Sequence, residues 1–412
     1  MKKKILIISD HALYSSGVAT QTKYLIAGLI KTGKFKFLQL GAAIKHENLN
    51  TVKVNDDFII LPINGFGDRK LIRSVLIEYK PDALILFTDP RFFNHIFEME
   101  DEIHQICPIL YWHVWDNRPT PYFNKSFLES IDAINCHSYL TYMMCKEMYP
   151  EKTNFIPHAV PKSIFYKLDE ESISKNRESI LGKNKDKFVF LWINRNCKRK
   201  RAADLLHAWK LFDEKVKSLY GKNDSVLIMH TDPKDREGYN LIELNNYFKT
   251  SDTVLFSVEK VDANNINILH NISDCFINIS CNEGFGLGTL ESMMCGNPII
   301  AAKTGGLIRQ VINHKDHSIN GICLDIDFTT IVGNQEIPIL YEDYVSIQKV
   351  SDAFFEMYKK DKQEIKEIGD RAMNYVHEEF DYDKTINLWS DSLNYTIENW
   401  KKNYKRFEVL KI

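Results

Sequence analysis

Two glutamates and three glycines share one short stretch between Ser280 and Gly306. Glu283 and Glu291 have seven residues between them, with Gly284, Gly286 and Gly288 inside that gap. Glycines let a backbone close on a ligand with no Cβ in the way, and carboxylates accept hydrogen bonds or exchange protons. Three chemistries are open: a phosphate cradle, a carboxylate pair for acid–base work, or a plain strand-to-helix turn. A dinucleotide fingerprint is not among them, because a third glycine would be needed at position 289, which is Thr. Glu283 falls on a loop. Glu291 falls one to two turns inside a helix that starts near Leu287 and stops at Gly296–Asn297–Pro298. Thr304, Gly305 and Gly306 form another tight turn on the same rim.

Positive charge is offered elsewhere. Arg195 follows the apolar run "KFVFLWIN", and Lys200 opens the next helical segment. The run Lys198 to Arg201 also fits a solvated loop, but a guanidinium at the end of a buried strand needs a partner. A diphosphate bridging Arg195 and Lys200 would satisfy both. Near the start, Ser15, Ser16 and Gly17 precede a helix from about Val18, where free N–H groups attract anions. His113 sits in "YWHVWDN" at another strand end, where a packed ring is an equal reading. Asp325–Ile326–Asp327 imitates a metal-binding acidic pair, but acidic pairs at strand ends are common, and no metal is expected there.

These residues need elements to hold them. "KKILIIS", "KFKFLQL", "DFIILPI", "DALILF", "CPILYWHVW" and "DAINCHS" read as strands, several apolar on both faces. The pattern restarts with "KFVFLWIN", "SVLIMHT", "DTVLFSV", "DCFINIS", "NPIIAA" and "GICLDI". Helical periodicity fills the gaps, as in Ala202 to Val216, with Leu205, Leu206, Trp209, Phe212 and Val216 on one face. Two βαβ series imply two doubly wound α/β domains, with candidate site residues at the strand ends. The expected division is 1–165 and 166–385. Trp389, Leu393, Ile397, Trp400 and Tyr404 then line one face of a terminal helix, about 386–412, which packs on either domain.

Bulk properties narrow the class. A net charge of −2 gives no reason to expect nucleic acid as partner. The 8 cysteines lack metal or redox spacing and sit mostly in apolar runs, so a reduced, cytoplasmic protein is expected. The apolar run Ile5 to Ile8 is too short for a secretion signal, and no stretch is long enough to span a membrane. The leading lysines and the basic end "KKNYKRFEVLKI" allow a weak peripheral contact with an anionic membrane.

The stretch Glu283 to Gly306 resembles the donor-site signature of retaining glycosyltransferases of family 4, which have the GT-B fold of two Rossmann-like domains across a cleft. The resemblance runs through nearly the whole chain in order: "SSGVATQTKYL", "IPHAVPKSIF", "NRNCKRKRAADLL" and "EGFGLGTLE". It implies that Glu283 binds hydroxyls of a donor sugar beside Gly284, Phe285, Gly286 and Leu287, and that Glu291 holds ribose hydroxyls. Arg195 and Lys200 would neutralise the departing diphosphate, with Gly17 across the cleft and Thr304 on the rim. His113 matches in place a histidine near the reacting carbon, and the terminal helix would cross back to the first domain. Two departures stand out: Ser16–Gly17 where two glycines are common, and Asn194 where a glycine often precedes the arginine.

The implied activity is metal- and cofactor-independent transfer of a sugar (hexosyltransferase type) from a nucleoside-diphosphate sugar. The acceptor would be a saccharide, a lipid or another hydroxyl compound, bound near "YWHVWDNRPTPYF". A nucleotide-sugar epimerase and a non-catalytic nucleotide-sugar-binding protein are the alternative readings.

Overall fold

The computed structural model describes residues 1–403. The first sheet has eight strands: β1 (Lys3–Asp10), β2 (Phe35–Ala42), β3 (Val52–Asn55), β4 (Phe58–Pro62), β5 (Ala83–Phe87), β6 (Ile109–His113), β7 (Ala133–Cys136) and β8 (Thr153–Phe155). Their order is β3-β4-β2-β1-β5-β6-β7-β8, parallel except for β3. The second sheet is β9 (Phe188–Ile193), β10 (Ser225–His230), β11 (Val254–Ser257), β12 (Cys275–Asn278), β13 (Ile299–Ala302) and β14 (Gly321–Leu324). Its order is β11-β10-β9-β12-β13-β14, all parallel.

Burial on both faces explains the all-apolar strands. In β1, Leu6 and Ile8 enter one core and Ile5 and Ile7 the other, all fully buried. Strand order reverses between β1 and β5 in the first sheet and between β9 and β12 in the second. Crevices open at the carboxyl ends of strands flanking such reversals. Those ends carry the Ser15–Gly17 loop, the Arg195–Lys200 loop and the Glu283 loop.

The chain ties the two units together at its end. Helix Lys362–Glu379 packs on the second unit, with Ala372, Tyr375 and Val376 against Leu290 and Met293. Helix Tyr382–Asn403 then covers the first unit. There Trp389 meets Trp112 edge to face at 4.9 Å, and Tyr382 Oη donates to the Tyr24 carbonyl at 2.6 Å. Of the expected 386–412 helix, residues 404–412, including Tyr404 and most of the basic end, lie outside the described residues.

Three features were not expected: β3, β8 and an antiparallel hairpin, β15 (Phe328–Val332) with β16 (Leu340–Tyr344). The hairpin follows the Asp325–Asp327 pair, and these acids pair with Lys303 and Lys349. Most of β15 is exposed, so it lacks the apolar signal that marks the other strands.

Candidate active site

The loop after β12 is built around Glu283, which is 8% exposed. Lys200, equally buried, donates to its Oε2, and Arg199 Nη1 lies 3.8 Å from Oε1. Ser280 Oγ is 3.3 Å from the same carboxylate. Burial alone would raise the Glu283 carboxyl, but the charges of Lys200 and then Arg199 outweigh it and hold it at about 2. Burial and the adjacent Arg199 pull Lys200 below its ordinary value. Two cations on one carboxylate keep Glu283 ionised, and the site presents an anion clasped by positive charge.

Arg199 is the residue that sequence reasoning missed. Its Nη1 donates to the Asn282 carbonyl at 3.1 Å, its own carbonyl accepts from Cys281 N–H at 2.9 Å, and its Nε lies 3.9 Å from Asp116. It therefore joins the basic loop, the Glu283 loop and the first unit. Its signal was hidden in the four-cation run, where a solvated reading was reasonable. Arg195 stands differently. It is half exposed, and its guanidinium pairs with Asp235 (2.8 Å) and Glu237 (3.0 Å) rather than with Glu283.

The glycines have steric reasons. Gly286 caps helix Leu287–Met294 at φ +93°, a left-handed conformation. Gly305 has φ +50°, and a Cβ there would collide with the Glu283 carbonyl and press on that of Asp116. Gly306 N–H donates to the Glu283 carbonyl at 2.8 Å, and Gln310 Nε2 to that of Phe285 at 2.7 Å. The Phe285 ring is buried, edge-on to His158 at 5.2 Å and Phe380 at 5.4 Å.

Glu291 lies on the helix, its carboxylate 3.6 Å from the buried His270 Nε2. Burial first and the Glu291 charge second push the Tyr24 phenol up, so this carboxylate faces the first unit's helix Gly17–Lys31. Ser16 caps that helix by accepting from Ala19 N–H, and Gly17 stands exposed opposite Leu287. Thr304 is fully buried, and its hydroxyl donates to Asp343 at 2.8 Å. Its side chain is therefore part of the frame of the rim.

His113 ends β6. Its ring stacks on Tyr111 at 4.9 Å, on the core face of β6, and it is fully buried. The period of two along a strand puts residues 111 and 113 on one side. The histidine opposite the Glu283 loop is His137, after β7: a Cβ on Gly284 would meet its Nε2 at 2.8 Å. Its Nδ1 bonds to the His113 carbonyl at 2.9 Å. Burial pulls His137 down to about 3, so it is neutral at physiological pH.

Among the described residues no cluster of acids, histidines or cysteines is arranged to hold a metal, and no helix is long and apolar enough to cross a membrane.

With this geometry in view, the comparisons with known proteins converge. Residues 174–327 match the model of the glycosyl transferases group 1 family. A curated relative, N-acetyl-alpha-D-glucosaminyl L-malate synthase of Bacillus anthracis, is 26% identical over 246 residues, 60% of this chain and 54% of the relative. The matched stretch thus spans about half the relative's length. Among solved structures, sucrose-phosphate synthase of Thermosynechococcus elongatus aligns with a TM-score of 0.75 at 15% identity, covering 96% of this chain and 99% of the other. HepE of Anabaena, in complex with UDP and glucose, aligns at 0.71 and 16%, covering 95% and 100%. The fold is GT-B, and within it residues 174–327 are similar to the glycosyl transferases group 1 family.

Proposed function

We propose that the protein is a retaining glycosyltransferase that moves a sugar from a nucleoside-diphosphate sugar to an acceptor hydroxyl. The observation that carries this reading is the Glu283 carboxylate, buried at the mouth of the crevice and held ionised by Lys200 and Arg199. Such a carboxylate is suited to accept hydrogen bonds from the hydroxyls of a donor sugar. The adjacent cations and the start of helix Gly17–Lys31 are suited to a diphosphate. Glu291, further along its helix, is suited to ribose hydroxyls. UDP-hexoses are the donors to test first, given the UDP and glucose bound by HepE.

In the reaction, the bond from the sugar's anomeric carbon to the diphosphate oxygen breaks, and its electron pair stays on that oxygen. The acceptor oxygen bonds to the same carbon from the face that the leaving group departs, and its proton passes to the departing diphosphate. Lys200 and Arg199 stabilise the growing negative charge from fixed positions. Arg195, paired with Asp235 and Glu237 at the rim, would have to exchange those partners for phosphate to take part. No step here calls for a covalent carboxylate, a metal or a cofactor.

The test is incubation of the full chain with nucleoside-diphosphate sugars, with and without acceptor alcohols, following free nucleotide and the fate of the sugar. Release that depends on acceptor, with the anomeric configuration kept, supports transfer. An isomerised sugar nucleotide with no acceptor product refutes it in favour of an epimerase. Binding with no turnover on any acceptor favours a non-catalytic binding protein.

A further inference from the structure

Arg309 stands where the second unit meets the start of a first-unit helix. It lies on helix Ile308–Val311, just after the Gly305–Gly306 turn. Its guanidinium carbon is 4.5 Å from the centroid of the Tyr139 ring and 5.3 Å from that of Phe155. Both rings belong to the first unit, on helix Tyr139–Met148 and on β8, and they meet edge to face at 5.7 Å and 85°. The cation thus rests against two rings set at right angles, and its side chain is only 19% exposed. A planar, weakly hydrated guanidinium gains most from aromatic rings when it is partly desolvated.

The aim of this side chain is set within the second unit. Arg309 Nε donates to Glu379 Oε1 at 2.7 Å, and Tyr375 Oη donates to the Arg309 carbonyl at 2.7 Å. Glu379 ends helix Lys362–Glu379, just before the chain crosses back to the first unit. A charge-assisted hydrogen bond is stronger than a ring contact, so if the units separate Arg309 stays with Glu379 and leaves the rings.

The segments it joins give the contact a role. The next residue, Gln310, holds the Phe285 carbonyl in the Glu283 loop. On the other side, Tyr139 follows His137 and Ser138, and His137 Nε2 is the group facing Gly284. We infer that Arg309 is a positioning residue: its grip on Tyr139 and Phe155 holds the two units at the separation that sets Gly284 opposite His137. The effect on turnover rests on the proposed transferase reading, whereas the effect on the separation of the units does not.

The test uses the full chain as wild type, Arg309→Met, Tyr139→Ala, the double variant, and Tyr139→Phe, which keeps the ring. Circular dichroism checks that each is folded. Tyr139 is 41% exposed, so Tyr139→Ala carries the test should Arg309→Met not fold. Small-angle scattering reads the separation of the units, calorimetry the affinity for UDP, and UDP release from UDP-glucose the turnover. Arg309→Met and Tyr139→Ala are each expected to enlarge the radius of gyration and to lower turnover at least tenfold, with UDP affinity within threefold. The double variant should fall no more than twofold below the weaker single one, because both substitutions remove one contact. Tyr139→Phe should match the wild type. The assignment is overturned if scattering is unchanged in the single variants, if UDP affinity falls as far as turnover, if the losses multiply in the double variant, or if Tyr139→Phe behaves like Tyr139→Ala. The two readings fail separately. A wild type that neither binds UDP nor releases it from UDP-glucose counts against the donor reading, and scattering then decides the role of Arg309 alone. Wild-type turnover with unchanged scattering in the variants overturns that role and leaves the donor reading standing.

Discussion

Removal of Lys200 isolates what holds the Glu283 loop. In Lys200→Met the carboxylate, 8% exposed in the wild type, keeps one cation, Arg199 at 3.8 Å, and the Ser280 hydroxyl at 3.3 Å. Breaking a buried pair by deleting one partner costs about 3–5 kcal/mol, because the other charge stays behind. A unit charge at about 4 Å returns about 4 kcal/mol at an effective dielectric constant of about 20, so Arg199 limits the damage. Destabilisation near the low end, roughly 3 kcal/mol, is expected. Glu283→Gln removes the anion, and the double variant leaves neither charge stranded. Urea unfolding of the two single variants and the double should therefore show a coupling of about 1–3 kcal/mol, the double being more stable than the sum predicts. Turnover in Lys200→Met should fall about 100- to 1,000-fold, the scale of losing one preorganised charge donor. Additive destabilisation within about 0.5 kcal/mol would refute the claim that these two side chains act as a unit.

Other consequences are checked as directly. Glu283 titrates at about 2 against an ordinary 4.5, so the stability it contributes is present above the ordinary value and fades as pH falls toward 2. Glu283→Gln should accordingly flatten the acid-unfolding curve between about pH 4.5 and 2 relative to the wild type. Trp389→Ala should cost about 3–5 kcal/mol by opening a cavity against Trp112, read as a fall in the urea midpoint. Gly305→Ala forces a Cβ onto the Glu283 carbonyl at positive φ. A lower melting temperature with a near-complete loss of turnover is expected, and normal turnover would show that the loop can relax.

Much of the architecture was legible because strands buried on both faces are written as continuous apolar runs. The twelve runs quoted from the sequence all fall on strands of the two sheets. The hairpin was not legible: one of its strands faces solvent along most of its length, and its reason for being there is polar. Asp343 on β16 is 2% exposed and accepts from Asn117, Thr304 and Thr329, three partners far apart in the chain. Within the site, glycines and glutamates announce themselves by spacing, but the direction of a side chain does not. His113 is the example: its place at a strand end was legible, whereas the stacking of its buried ring on Tyr111 was not. Arg199 was passed over because a run of four cations does not say which of them the fold turns toward Glu283.

The same contacts bear on how the site is held. Gly305 lies so close to the carbonyls of Glu283 and Asp116 that a Cβ there would strike the first and crowd the second, so one turn meets both units. Asn117, next to Asp116, donates to Asp343 at 2.8 Å and Thr304 at 3.2 Å, and Arg118 reaches Asp343 at 3.3 Å. The loop after β6 is thus fastened to the second unit by charge-assisted hydrogen bonds at the point where Arg199 meets Asp116. Truncating Asp343 to Ala would remove the charged acceptor of the buried Asn117 and Thr304 donors and leave them only neutral acceptors, such as the carbonyls of Tyr341 (3.0 Å) and Cys281 (3.5 Å), at a cost of roughly 1–3 kcal/mol. It would do so without removing any residue proposed to touch a ligand. If the clasp sets the distance between the two units, Asp343→Ala should lower turnover far more than it weakens UDP binding to the second unit. Equal losses in both would mean that Asp343 supports only its own domain.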